Sequence, residues 1–207
     1  RQPKGVSVYG LWLNQKGKVL ADSYVLNPKD KEFTVVSVTS SAVVIQARLE
    51  EYIVADDVTL ADETSQLHAL AVSGKRCGEL IRECLGMVPS PGRFLQRGEL
   101  LVFAGRRSRD ENYELIGSDA LVADAKRKLL AWGGREAAAG EVEFMRISAG
   151  MPSIPQDIGP GDLPDEGGLE DAAISYTKGC YLGQEVMARL KNLGQIRRRL
   201  HVIHCTG

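Results

Sequence analysis

Val6-Ser7-Val8-Tyr9-Gly10-Leu11-Trp12-Leu13 leads through Asn14-Gln15-Lys16-Gly17-Lys18 into Val19-Leu20-Ala21-Asp22-Ser23-Tyr24-Val25-Leu26. Two apolar-rich runs flank a short polar turn containing glycine, which is the pattern of a β-hairpin. A third strand is expected at 33–38. Ser40 or Ser41 can then cap a helix whose positions Val43, Val44, Ala47, Leu49 and Ile53 keep roughly helical spacing, leaving Arg48, Glu50 and Glu51 toward solvent. The chain thus opens as hairpin, strand, helix.

Further along, residues 56–62 read as an edge segment, 67–72 as a strand and 74–85 as a helix closed by Pro89 and Pro91. Residues 100–104 form another strand, 106–112 a charged turn and 113–116 a short strand. Ser118 or Asp119 then caps a helix that runs through Trp132. Strands and helices mix without strict alternation, so the expected class is α+β with mainly antiparallel sheets, not a doubly wound parallel sheet. The expected division is 1–62, 63–145 and 146–207. Between Gly150 and Gly168, Pro152, Pro155, Pro160 and Pro164 alternate with glycines, which excludes a helix or a central strand. This long loop is either a binding loop or a disordered one.

Of the 207 residues, 43% are hydrophobic, enough for one sizeable core or two small ones. The 26 Lys and Arg nearly cancel the 27 Asp and Glu, so no general field favours DNA or acidic membranes. No apolar run approaches the roughly 20 residues of a membrane helix, and the start lacks a secretory apolar core. A cytoplasmic protein is expected, or a mitochondrial matrix one in a eukaryote. The first residue is Arg1 and the last three are Cys205-Thr206-Gly207, which suggests an internal segment of a longer protein. Cys77, Cys84, Cys180 and Cys205 form no C-x-x-C pair, and His68, His201 and His204 form no triad, so free thiols and no bound metal are expected.

The densest chemical signal is Lys178-Gly179-Cys180-Tyr181-Leu182-Gly183-Gln184-Glu185, with Arg197-Arg198-Arg199 beyond it. Thr177 can cap a helix toward Lys191, placing Cys180 in the first turn, where free backbone N–H groups and Lys178 favour a thiolate. On the opposite reading Cys180 is a small core residue, Gly179 and Gly183 permit close packing, and Glu185 and Arg189 pair across one helical turn.

This octet resembles the signature of the YgfZ family, folate-binding proteins related to the T-protein of the glycine cleavage system and to mitochondrial iron–sulfur assembly homologues. Arg146-Ile147-Ser148-Ala149-Gly150-Met151-Pro152, Leu163-Pro164-Asp165-Glu166 and the opening hairpin are similar to further family blocks, so the resemblance spans almost the whole chain. It implies two interleaved α+β subdomains around a tetrahydrofolate, with a C-terminal barrel domain apparently missing from this sequence. A folate needs an acceptor for the donor edge of its pterin, apolar walls for its rings and cations for its tail. Glu114 falls where T-proteins carry their pterin-binding Glu; read by itself, it is an exposed strand carboxylate.

The candidate reactive groups are Cys180, with Lys178 beside it, and Asp22. The candidate folate-binding residues are Glu114, Arg146, Tyr181, Gln184 and Glu185. T-proteins carry a pair of acids where this chain has Ala21-Asp22, and an Arg where it has Val142, which argues against aminomethyl transfer. The resemblance therefore implies a reduced-folate-binding accessory protein of iron–sulfur cluster assembly or repair, including support of enzymes that modify tRNA, with iron–sulfur client or assembly proteins as partners. The alternatives are a tetrahydrofolate-dependent aminomethyltransferase and an interaction scaffold using the arginine-rich segment. A lone Cys cannot hold a complete cluster, so any cluster contact needs ligands from a partner.

Overall fold

The structure is a computed structural model that describes residues 5–194 and 196–205. It is an α+β fold in which the chain passes back and forth between two compact units. One contains the described residues of Arg1–Val8, Leu26–Thr34 and Asp62–Met151; the other contains those of Tyr9–Val25, Val35–Ala61 and Pro152–Gly207.

Strands β1 (Ser7–Leu13), β2 (Val19–Lys29) and β3 (Glu32–Val36) form a three-stranded sheet in that order. The turn after β1 is closed by one side chain: Asn14 Oδ1 accepts from the Lys16 and Lys18 backbone N–H groups at 2.9 and 3.0 Å. Gly17 completes it with φ of 70°, in the left-handed region that glycine enters without steric cost.

The first unit is built on an antiparallel sheet of order β4 (His68–Ser73), β7 (Asn112–Gly117), β6 (Leu100–Ala104) and β5 (Phe94–Arg97). Helices α2 (Cys77–Leu85) and α3 (Asp119–Ala131) pack on each other and on β7. Because side chains alternate across a strand, Tyr113 and Leu115 join Leu100, Val102, Ile81, Val122 and Leu129 in the core beneath these helices. Glu114 falls on the opposite face, beside Phe103 of β6. α4 (Ala139–Ser148) follows; neither it nor β5 is evident in the sequence pattern.

In the second unit, α1 (Ala42–Glu50) starts after the expected cap at Ser41 but ends before Ile53, and it turns another face inward. Val43, Val44 and Ala47 are exposed, whereas Ile45 and Arg48 are buried. The expectation of a solvated Arg48 is corrected by its hydrogen bonds: Nε and Nη2 donate to the Leu13 carbonyl at 3.1 and 2.8 Å, satisfying the end of β1. The acidic stretch 56–62 forms no strand.

The Pro/Gly-rich loop is ordered and supplies core. Ile154, Ile158 and Leu169 pack with Leu13, Val19 and Met187, and a 3-10 turn spans Pro164–Gly167. The reading of this loop as disordered is thereby overturned: its apolar residues close the unit's core. A short helix α5 (Glu170–Ala173) precedes α6 (Gln184–Leu193). The segment 146–207, also expected to end in a strand, forms none over 196–205, and Thr206 and Gly207 lie outside the described residues. No helix among the described residues is long and apolar enough to cross a membrane.

Candidate functional site

In the first unit, Glu114 is 1% exposed. A carboxylate so deeply placed needs partners for both oxygens. Arg107 supplies them in a two-pronged pair, with Nε to Oε1 at 2.6 Å and Nη2 to Oε2 at 3.1 Å. The reading of Glu114 as an exposed strand carboxylate is therefore corrected: it is buried on the face opposite the helices, beside Phe103 and against Gly105.

The loop between β6 and β7 aims this pair. The Arg107 backbone N–H donates to Asn112 Oδ1 at 3.0 Å, and Gly105 N–H donates to the Asn112 carbonyl at 2.8 Å. A Cβ on Gly105 would lie 2.7 Å from Asn112 Oδ1 and 3.0 Å from Glu114 Oε1, so the wall beside the carboxylate exists only because residue 105 has no side chain. Gly105 and Arg107 were not singled out from the sequence, because no helical or strand period links 107 to 114. Arg146, also in this unit, donates from Nε to Glu143 at 2.9 Å and from Nη1 to the Met151 carbonyl at 2.6 Å, at the end of α4.

In the second unit, Asp22 is held by hydroxyls. Tyr9 donates to Oδ2 at 3.0 Å and Ser40 to Oδ1 at 2.8 Å. Ser40 Oγ also accepts from the Asp22 backbone N–H at 3.0 Å, so strand β2 and the turn before α1 fix one carboxylate from two sides.

The octet 178–185 departs from the expected helix. α6 begins at Gln184 with Gly183 as its N-terminal cap, so Cys180 precedes the helix and has no place in its first turn. The cause is the backbone of Gly183, whose φ of 80° breaks any helix running in from Thr177. Cys180 is also exposed, which corrects the alternative of a buried core thiol. Tyr181 packs against the core of Leu13, Ile154 and Met187, and Lys178 Nζ lies 4.7 Å from the centre of its ring. Burial pushes the Tyr181 phenol upward. Gln184 and Glu185 open α6, Gln184 half-buried and Glu185 exposed. Thus Cys180, Lys178, Tyr181, Gln184, Glu185 and Asp22 fall in the second unit, and Glu114 and Arg146 in the first.

Two of the three arginines in the arginine-rich segment are paired within their own unit. Arg198 pairs with Asp162 at 2.6 Å and Glu166 at 2.7 Å, and Arg199 with Glu170 at 2.9 Å. The Arg198 guanidinium holds the Glu166 carboxyl below its ordinary range.

The GCVT N-terminal domain model matches residues 1–99. The tRNA-modifying protein YgfZ of Colwellia psychrerythraea is 27% identical over 199 residues, which cover 94% of this chain and 59% of that protein. The chain thus matches the GCVT family model over its first 99 residues and has YgfZ-type proteins among its relatives. The mouse mitochondrial iron–sulfur cluster assembly factor IBA57 is 28% identical over 213 residues, covering 100% of this chain and 56% of that protein. The chain therefore spans about half the length of the curated relatives it matches. Its fold matches the glycine cleavage system aminomethyltransferase T of Bartonella henselae with a TM-score of 0.75 at 18% identity, over 91% of this chain and 54% of that one.

Proposed function

We propose that this protein binds a reduced folate and serves as an accessory protein of iron–sulfur cluster assembly or repair, including support of iron–sulfur enzymes that modify tRNA. The observation that carries the folate half is Glu114: a carboxylate 1% exposed, walled by a residue without a side chain and already holding two parallel N–H donors of a planar group. The donor set suits a pterin, whose 2-amino-4-oxo ring also offers two adjacent N–H groups. Bound there, a reduced folate would supply its one-carbon and redox chemistry. Glu114 accepts the donor edge, and Gly105 lets the Glu114 and Asn112 side chains sit close against its backbone.

The iron–sulfur half is supported by the names of the relatives, a tRNA-modifying protein and an iron–sulfur cluster assembly factor. Cys180 is the exposed thiol of the octet and is the group we assign to contact with an iron–sulfur client or assembly protein. Calorimetric titration of the intact protein with 5-formyltetrahydrofolate tests the first half. Binding by the wild type and its loss in Glu114→Gln are expected; absence of binding by the wild type refutes it. The second half is tested by iron–sulfur enzyme activity in cells carrying Cys180→Ala in place of the wild type, and full activity removes the thiol from the function.

A second reading, tetrahydrofolate-dependent aminomethyl transfer, is favoured by Asp22, whose carboxylate the Tyr9 and Ser40 hydroxyls hold in one orientation suited to positioning a nitrogen. Turnover of an aminomethylated carrier protein with tetrahydrofolate, lost in Asp22→Asn, would establish it.

A further inference from the structure

A buried carboxylate that waits for a ligand must be neutralised while it waits, and the first unit does this with its own chain. Arg107 meets both oxygens of Glu114, while the arginine side chain itself remains 24% exposed. The pair is thus open on the arginine side and closed on the glutamate side. The two N–H groups that Arg107 presents branch from one carbon of a planar guanidinium. A pterin edge presents the same element: an amino N–H and a ring N–H on one carbon. Both cannot take the same two-pronged face of the carboxylate together, since Nε and Nη2 already bridge Oε1 and Oε2 across it.

Resting on the folate reading above, we propose that Arg107 is an internal place-holder for the ligand: it occupies the Glu114 carboxylate in the free protein and is displaced toward solvent when the pterin edge binds. The loop geometry fits such an exchange. The backbone of Arg107 is anchored through its N–H to Asn112, so the side chain can leave without the loop opening. Among the described residues, only the two side-chain hydrogen bonds to Glu114 must break. Gly105 is the second component, because a Cβ there would lie 3.0 Å from Oε1 and 2.7 Å from Asn112 Oδ1, pressing on the carboxylate and on the side chain that anchors the Arg107 backbone.

The exchange sets affinity by competition. Removing the guanidinium removes the competitor, so Arg107→Ala should bind 5-formyltetrahydrofolate at least tenfold more tightly than the wild type, as read by calorimetry on the intact protein. An arginine with a merely structural role would leave affinity unchanged or weaken it on removal. A measurement on the unaltered protein covers the case in which Arg107→Ala does not fold. The Arg107 side-chain Nε–H resonance in a 15N NMR spectrum should be protected from solvent exchange in the free protein and lose that protection at saturating ligand. Binding by the wild type with equal or weaker binding by a folded Arg107→Ala, or an unchanged Nε–H resonance at saturation, overturns the place-holder and leaves the folate reading standing. Absence of binding in wild type and variant alike removes the folate reading, and the place-holder with it.

Discussion

Gly183 and Gly17 meet backbone to backbone: a Cβ on Gly183 would lie 2.7 Å from the Cα of Gly17 and 3.3 Å from the Asn14 carbonyl oxygen. The octet 178–185 is therefore seated on the turn of the opening hairpin, and two distant parts of the sequence share one contact. Both residues have positive φ, 80° and 70°, so each is glycine for two reasons, conformation and space.

Gly183→Ala should lower stability by about 2–4 kcal/mol, combining the left-handed backbone penalty with a clash that a rigid turn cannot relieve. Urea unfolding of the intact protein measures it. A loss below about 0.5 kcal/mol, within the range of ordinary surface substitutions, would mean that the turn and α6 do not touch.

The thiols should separate by reactivity. Cys180 and Cys205 are exposed, while Cys77 is 2% exposed and its thiol is pushed up to about 12, first by burial and then by the Glu111 carboxylate. Maleimide at neutral pH, followed by mass spectrometry of peptides, should mark Cys180 and Cys205 in the native protein and Cys77 only after denaturation. Native labelling of Cys77 would contradict the packing of α2.

Arg48→Met should cost about 1–3 kcal/mol, because it keeps the apolar stem but removes the two donors to the buried Leu13 carbonyl. Chemical denaturation reads the loss. An unchanged midpoint would show that water replaces the guanidinium.

Two adjacent acids should give pH dependences of opposite sign. Burial raises the Asp165 carboxyl above 3.8, with Glu170 and Glu166 adding to the rise. Its charged form is thus a burden on the native state that is absent below the unfolded value and complete above the folded one. Asp165→Asn should stabilise the protein at neutral pH, with the gain fading as pH falls toward 3.8. Glu166 is lowered from 4.5, chiefly by its hydrogen bond to Arg198, so its contribution is present above 4.5 and lost as pH falls through the depressed value. Glu166→Gln should cost about 1 kcal/mol at neutral pH, a modest figure because Arg198 is largely exposed, and nothing in strong acid. Thermal melts of the two variants across this range should diverge as pH rises; parallel curves would refute the assignment.

The hairpin is legible because Asn14 and Gly17 write a turn between two runs of the right length, and turn chemistry is local. The inner face of α1 is not legible: Val43 and Val44 adjoin, and the winning position, Arg48, is buried by a carbonyl from β1 that no local pattern announces. The loop 150–168 reads correctly as neither helix nor central strand, yet its proline content hides Ile154 and Ile158, which become core only through contacts with Leu13 and Met187. At the candidate site the resemblance supplies Glu114 and the octet. The partner Arg107, the wall at Gly105 and the late start of α6 depend on how β6 and β7 are paired and on the backbone at Gly183, and these are properties of the folded chain.

On the proposed reading, a carboxylate that accepts two parallel N–H groups, as Glu114 does from Arg107, would sort heterocycles by the order of groups along their rims. Guanine and pterin carry neighbouring donors and would match it. The uracil-like rim of a flavin, one N–H between two carbonyls, would set oxygen against oxygen and be turned away.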